Sequence, residues 1–514
     1  MSWDYQRSFD RIQKHLNGMG EIEVKKLTRE ADLEQLLSET TCRDIYGAHV
    51  YIQVPNFAHL ASDGLYAQDD YKRLIQGVHI YQREVTRIVE GLGGTFVHFQ
   101  GPKLHALFYR PIDNAKKLAS RAVLLQLVLK DFVKTVFNLA FPDYDDFTIA
   151  GGADLGNAIG TMDGINGDRE LLFLGAPANH AAKIISSVQR LRLTQYVYDA
   201  LPDGLRALCL KADDGPYQLK LVTCDDLDEL LTAHGLTWKR DASASNVEND
   251  KKRFLLKDIG YSAAEAPIDL DDLSTSNNKR VLGASIFADV SGFTRYIDEA
   301  ASEEDKQAAL RVFHAIRKET ARVITGDFDG LRIQYQGDRI QGLFHLPQGD
   351  EAAIVKKAVE AAASLQSSME RTLKACLPEA SDLRLAIGID LGTTLVSQLG
   401  ARGQRDRICL GEAVECASQL EERSEGGQIG VSSRVFGQLP DYLRDLFPYC
   451  AKVQGHVATN LTVEQVERVA KAAEVYRTGA PVFVRTSAAG VTVSGQESAH
   501  ARTIVPARPY TDEA

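Results

Sequence analysis

Apolar positions along this 514-residue chain fall into two long blocks that run through the same order of periods. In the first, His49-Val50-Tyr51-Ile52 reads as a buried strand. Leu74, Val78, Tyr81, Val85, Ile88 and Leu92 then recur every three or four residues, the spacing of one helix face, and Gly93-Gly94 ends the run. Thr95–Phe99 and Leu104–Tyr109 alternate around a tight turn and predict a hairpin, and Ala115–Asn138 predicts a second amphipathic helix. The later block repeats the order. Val281–Phe287 is strand-like, Leu310, Phe313, Ile316 and Val323 line a helix, and Leu331–Tyr335 with Ile340–Phe344 predict a hairpin. Ala352–Leu373 then reads as a helix, and Leu383–Ile389 as a strand before a Gly-rich turn. Each block predicts strand, helix, hairpin, helix, strand, strand, helix.

Polar landmarks are duplicated with the pattern. Ala288-Asp289-Val290-Ser291-Gly292-Phe293-Thr294, Gln336-Gly337-Asp338, Gly388–Gly392 and Gly411–Ser418 correspond to Gln53-Val54-Pro55-Asn56-Phe57, Gln100-Gly101-Pro102, Asp154-Leu155-Gly156 and Gly175–Lys183. The offset is constant, since 293 − 57, 337 − 101, 390 − 154 and 411 − 175 all give 236. Repeats this long are duplicated domains, not solenoid units. The expected organisation is an N-terminal helical segment over 1–45, a domain over 46–225, a linker over 226–278, a second domain over 279–485 and a loosely held tail over 486–514. Tyr5–Asn17 and Arg29–Ser38 read as charged helices that cap or dimerise the first repeat, and polar Ala242–Lys252 suits a linker.

Composition narrows the partners. Hydrophobic content of 44% with 25% charged residues is ordinary for a soluble globular protein. A formal charge of −11 argues against nucleic acid or an anionic membrane as main partner, and leaves a small polyphosphate open. The seven cysteines have no zinc-ligand spacing, the N-terminus is polar, and no apolar run could span a bilayer. A reducing, cytoplasmic location is the expectation.

Asp289 closes an apolar strand and Asp338 sits at a hairpin tip after Gly337. Taken singly, each reads as a cap or turn residue. Brought together at strand ends, they make a hard oxygen site for Mg²⁺ or Mn²⁺. The Val290–Thr294 stretch offers backbone N–H groups at a helix start, a cradle for phosphate. Metal and cradle together suggest a nucleoside triphosphate.

These residues, in this order, resemble the catalytic domain of the class III nucleotidyl cyclases, and the resemblance covers both repeats. It implies an α+β fold: two ferredoxin-like cyclase domains packed as an intrachain pseudo-dimer, with a homodimer also open to it. In that family, one domain supplies two metal-binding Asp residues, and the other a helical Asn and Arg, four residues apart. Mapped here, the resemblance places two divalent cations on Asp289 and Asp338, with Val290 completing the ligand set, and phosphate on Phe293 and Thr294. Asn179 occupies the helical Asn position, and Lys183 stands where the family has Arg. Arg402 takes the place of an Arg for the terminal phosphates. The first repeat has Gln53 and Pro102 at the metal positions, and the second has Glu415 and Gln419 at the Asn and Arg positions, so one interface alone is complete. Base-reading positions hold Tyr51, His98 and Leu172, which match neither the adenylyl nor the guanylyl set.

This arrangement is similar to the bacterial pyrimidine cyclases of anti-phage signalling. The resemblance implies a cyclic pyrimidine nucleotide made from UTP, or next CTP, and read by a separate cyclic-nucleotide-binding effector protein. Adenylate or guanylate cyclisation, or a catalytically dead nucleotide-sensing module, are the alternatives.

Overall fold

The computed structural model describes residues 3–57, 68–163, 170–185, 188–401 and 403–478. After helix α1 (Tyr5–Gly18), the first half runs β1 (Thr41–Gln53), α2 (Gln68–Gly91), β2 (Thr95–Gln100), β3 (Lys103–Phe108), α3 (Ala115–Phe132), β4 (Ala150–Asp163), β5 (Glu170–Leu174) and α4 (Ala176–Lys183). Helix α5 (Arg240–Arg253) lies in the connection. The second half runs β6 (Asn278–Ser291), α6 (Phe293–Asp298), α7 (Glu303–Arg322), β7 (Leu331–Gln336), β8 (Arg339–Phe344), α8 (Glu351–Ser367), β9 (Arg384–Ala401), β10 (Gln404–Leu410) and α9 (Glu412–Arg423). Both halves keep the order read from the sequence.

Each half builds a nine-stranded mixed sheet, with its central strands in the order β2-β3-β1-β4 or β7-β8-β6-β9. Even the register is duplicated: Val50 pairs with Ala153, and Ile286 with Ile389. The apolar stripe of α2 is buried through Val78, Tyr81, Val85 and Ile88, and α3 is apolar almost all round and buried accordingly. Each fully buried aliphatic side chain in these stripes contributes about 1.5–3 kcal/mol. Gly152 in β4 and Gly388 in β9 permit the closest helix approach. A Cβ there would overlap the carbonyl oxygen of Ala181 or of Ala417. These two glycines therefore seat α4 and α9 directly on their sheets.

Three segments differ from expectation. Helix α1 caps the second half instead of the first. Ser8 Oγ donates to Glu319 Oε1 at 2.7 Å, and Arg11 Nη1 donates to Asp327 Oδ1 at 2.9 Å. Amphipathic spacing identifies which face is buried and says nothing of which surface receives it. In the span Arg29–Ser38 the helix is only Leu33–Leu36, while Glu23–Lys26 pairs parallel with Thr41–Asp44 of β1. The polar stretch Ala242–Lys252 is helical and docked: Val247 is buried, and Arg83 Nε meets Asp250 Oδ2 at 2.9 Å. Tertiary ion pairing and a basic last turn outweigh the weak helix propensity of its Ser, Asn and Asp residues.

Residues 1–470 form one compact unit, and the end of the last helix belongs to a second. The expected tail over 486–514 lies outside the described residues. No helix among the described residues is long and apolar enough to cross a membrane.

Within the first unit, the halves meet through side chains that reach across. His79 Nδ1 accepts from Gly400 N at 3.2 Å, and Asp406 Oδ2 accepts from Phe99 N at 2.7 Å. Burial pushes the Asp406 carboxyl up to about 8. The unfolded chain loses this proton near the ordinary carboxylate pKa of about 4, whereas the folded chain keeps it until about 8. Across that window the folded state binds the extra proton, so stability falls as pH rises. Asp406→Asn, which keeps the acceptor oxygen, should flatten this dependence and raise the thermal midpoint at pH 8 by a few degrees. Thermal melts from pH 5 to pH 9 check it; parallel curves for both proteins would refute it.

Candidate active site

The site begins where β6 outruns its neighbour. The last β6–β8 pair is Ala288 with Ile340, so Asp289 pairs only with Ala386 of β9. Asp338 follows Gly337 at the tip of the β7–β8 turn, where φ of +73° favours glycine. Two carboxylates thus stand at adjacent strand ends. Burial, and then the Asp289 charge, hold the Asp338 carboxyl well above the usual carboxylate range. Burial also raises Asp289, against the opposing charges of Arg339 and Lys183. Paired hard oxygen donors that repel each other are what a divalent cation relieves, so these side chains fit the expected ions. Val290 is buried and can offer only its carbonyl.

The other half supplies the facing wall through α4. Ala176 N donates to Asp298 Oδ1 at 2.8 Å, and Asn179 Nδ2 donates to Thr294 Oγ1 at 2.9 Å. Both contacts join α4 of the first half to α6 of the second. Lys183 lies one turn beyond Asn179 on the same face, and its charge lowers the pKa of both Asp289 and Asp338. The structure therefore gathers Asn179, Lys183, Thr294, Asp289 and Asp338 at one interface. Phe293 packs against Phe313, ring centroids 5.5 Å apart, and leaves only its backbone for a ligand. Arg402 lies outside the described residues.

Two of the three base-reading candidates share a neighbour. Tyr51 stacks on His105 with centroids 4.2 Å apart, and His98 meets the same ring edge-on at 5.3 Å. His49 Nδ1 lies 3.1 Å from His105 Nε2 and extends the cluster. Burial pushes His98 down to about 4, so it is neutral at pH 7. Leu172 pairs with Thr161 and packs in an apolar cluster with Ile159 and Leu174.

Sequence reasoning missed Arg339, Glu421 and His105. The Arg339 guanidinium lies 4.3 Å from the centroid of Phe287, and its Nη2 meets Glu421 Oε2 at 2.6 Å. Burial pushes the Glu421 carboxyl up to about 8 against the pull of Arg339. A signal for Arg339 exists: Lys103 is its counterpart, since 339 − 103 is again 236, and Lys103 Nζ lies 5.5 Å from the centroid of Tyr51. A cation at one place in both repeats was visible in the sequence. His105 and Glu421 gave none, being ordinary strand and helix positions.

The pseudo-equivalent interface is built from the other residues of each pair. A cavity of about 400 Å³ there is lined by Gln53, Pro102 and Lys103 of the first half and Arg339, Glu415 and Gln419 of the second. The two metal positions carry an amide and a proline, which cannot replace a carboxylate pair.

Known proteins resemble this chain in sequence and in fold. The sequence profile of the adenylate and guanylate cyclase catalytic domain matches residues 282–456. A uridylate cyclase of Pseudomonas aeruginosa is 28% identical over 463 residues, covering 87% of this chain and 88% of the relative. A uridylate cyclase of a Rhizobium species is 25% identical over 455 residues, 85% of each chain. A crystal structure described as a class III adenylyl cyclase-like ATP-binding protein from Pseudomonas aeruginosa superposes with a TM-score of 0.79 at 26% identity, covering 91% of this chain and 99% of that one. With one fold built twice in the chain and the acidic pair on the second copy, residues 282–456 carry the class III nucleotidyl cyclase catalytic domain.

Proposed function

We propose that the chain converts a pyrimidine nucleoside triphosphate, UTP ahead of CTP, to its 3′,5′-cyclic monophosphate and pyrophosphate. The observation that carries this reading is the Asp289–Asp338 pair at adjacent strand ends, in which burial and the Asp289 charge raise the Asp338 carboxyl, faced by Lys183 from the other half. The 3′-oxygen forms a bond to the α-phosphorus, the bond from that phosphorus to the bridging oxygen breaks, and pyrophosphate leaves with the electron pair. Two Mn²⁺ or Mg²⁺ ions held by Asp289, Asp338 and the Val290 carbonyl would ease loss of the hydroxyl proton and neutralise the phosphates. Asn179 exchanges its bond to Thr294 for one to the ribose or the α-phosphate. Lys183 stabilises the charge that develops there, as a point charge without the fork of an arginine. The backbone at Phe293 and Thr294, after Gly292 with φ of +94°, receives phosphate oxygens.

Base choice rests on Tyr51 and His98. Both stand against His105 in a buried aromatic cluster that reduces the room for a base. The relatives named uridylate cyclase favour uracil. A purine has to be tested beside it, because the similar solved structure is described as ATP-binding. Within the resemblance, the product serves as a cytoplasmic messenger of anti-phage defence, read by a separate effector.

The test is pyrophosphate release from UTP, CTP, ATP and GTP with Mn²⁺, with the cyclic product identified by mass. UTP should be the fastest. Tyr51→Ala should lose most pyrimidine turnover, and Tyr51→Phe should lose discrimination against the other bases by about 10-fold or more, as expected for a lost polar contact. Faster cyclisation of ATP or GTP by the wild-type protein would overturn the pyrimidine assignment and leave the cyclase assignment standing.

A further inference from the structure

A second group of ligand-type side chains converges without using either member of the acidic pair. Glu39 precedes β1, Asp163 ends β4 and His314 lies on α7; one ligand atom of each falls within 4.8 Å of the others. His314 is fully buried. Its Nδ1, 4.0 Å from Glu39 Oε1, has no hydrogen-bond partner among the described residues. The other ring nitrogen lies 3.4 Å from Thr161 Oγ1. Glu39 Oε1 and His15 Nε2, 3.5 Å apart, are likewise buried and without a hydrogen bond among the described residues. Native proteins rarely leave three such atoms together unsatisfied, because each has lost its water.

We propose that Glu39, Asp163 and His314, with His15 as a fourth donor, bind one divalent first-row transition-metal ion, of which zinc is the representative. Mixed imidazole and carboxylate donors suit such an ion and disfavour Mg²⁺ and Ca²⁺, which prefer all-oxygen sites. Burial pushes His314 down to about 3, which keeps the ring in the neutral form that ligates. Asp163 is already held on both oxygens, by Arg317 Nε at 2.7 Å and by Lys318 Nζ at 3.1 Å. Lys318 is partly exposed and can swing away, so the ion replaces Lys318 and leaves the buried Arg317 in place. A cavity of about 800 Å³, lined by His15, Glu39 and Lys318 among others, gives the ion a way in.

The position has a consequence for the whole chain. The ion ties α1, the first half and the second half together. Arg317, bound to Asp163, also donates to the Gly337 carbonyl at 2.9 Å, one residue before Asp338. The residue that anchors Asp163 thus also contacts the turn that carries Asp338. The site shares no ligand with the acidic pair, so ion binding there does not depend on cyclase activity.

Full-length protein carrying Asp289→Asn and Asp338→Asn removes the other carboxylate pair. Stripped with chelator, it should bind one equivalent of Co²⁺ or Zn²⁺ per chain, give the visible absorption of cobalt in a nitrogen and oxygen site, and melt higher with Zn²⁺. Adding Glu39→Gln or His314→Gln should weaken Co²⁺ binding by at least the ~10–100-fold that even outer-shell changes cost. Circular dichroism is the check that the Glu39→Gln protein is folded; because Glu39 is only partly buried, this variant decides the matter should His314→Gln fail to fold. Failure of the parent to bind Co²⁺, or equal binding by folded Glu39→Gln, would overturn the proposal.

Discussion

Asp289→Asn and Asp338→Asn should each lower cyclisation by at least about 10³-fold, the loss expected when several kcal/mol of transition-state charge stabilisation disappear. The fold should survive. Both side chains stand at strand ends, and both carboxyls are raised by burial. Replacing either with an amide removes an unfavourable buried charge and leaves no cavity. The thermal midpoint of the metal-free variants should therefore equal or exceed that of the wild type. Addition of Mn²⁺ separates the two effects: it should raise the wild-type midpoint and leave both variants nearly unmoved. Normal turnover in either variant would remove these residues from the reaction.

Asn179→Ala should cost about 2–4 kcal/mol of transition-state stabilisation, roughly 30- to 1000-fold in kcat/KM. Its amide now bridges the halves to Thr294, so the variant reports on an interface as well as on chemistry. A pure interface defect would lower the thermal midpoint, whereas a lost ribose or phosphate contact lowers kcat/KM at constant midpoint. Lys183→Ala should fall in the same range, and Lys183→Arg should retain activity, because the charge beside the two carboxylates is kept. At the pseudo-equivalent interface, Glu415→Ala and Pro102→Ala should be nearly silent. Titration with a non-cyclisable triphosphate analogue should give one equivalent per chain. Two equivalents bound in the same pose would mean that the Gln53 and Pro102 interface is also a nucleotide site.

Much of this protein could be read in the chain itself. Strand and helix periods fixed the order of elements in both halves, because burial of one face imposes period 2 or 3.6 wherever it occurs. The constant offset of 236 carried the duplication down to the register of β1 with β4 and β6 with β9. The acidic pair was legible because strand-end carboxylates after Ala288 and Gly337 have few structural uses in combination. The asymmetry was legible too, since Gln53 and Pro102 replace the pair in the other copy.

Tertiary structure alone decided the rest. Periodicity shows that α1 has a face to bury, but the receiving surface is chosen by partners distant in the chain: Glu319 and Asp327 for α1, and Arg83, through Asp250, for the polar helix α5. Glu421 entered the site only through folding, as its helix position is paired with Arg339 of a strand. His105 became a neighbour of both Tyr51 and His98 through the pairing of β1, β2 and β3, which no local pattern encodes. The group formed by Glu39, Asp163, His314 and His15 has no spacing at all in the chain. Its members come from four segments, and only the packing of the two halves with α1 brings their ligand-type atoms together.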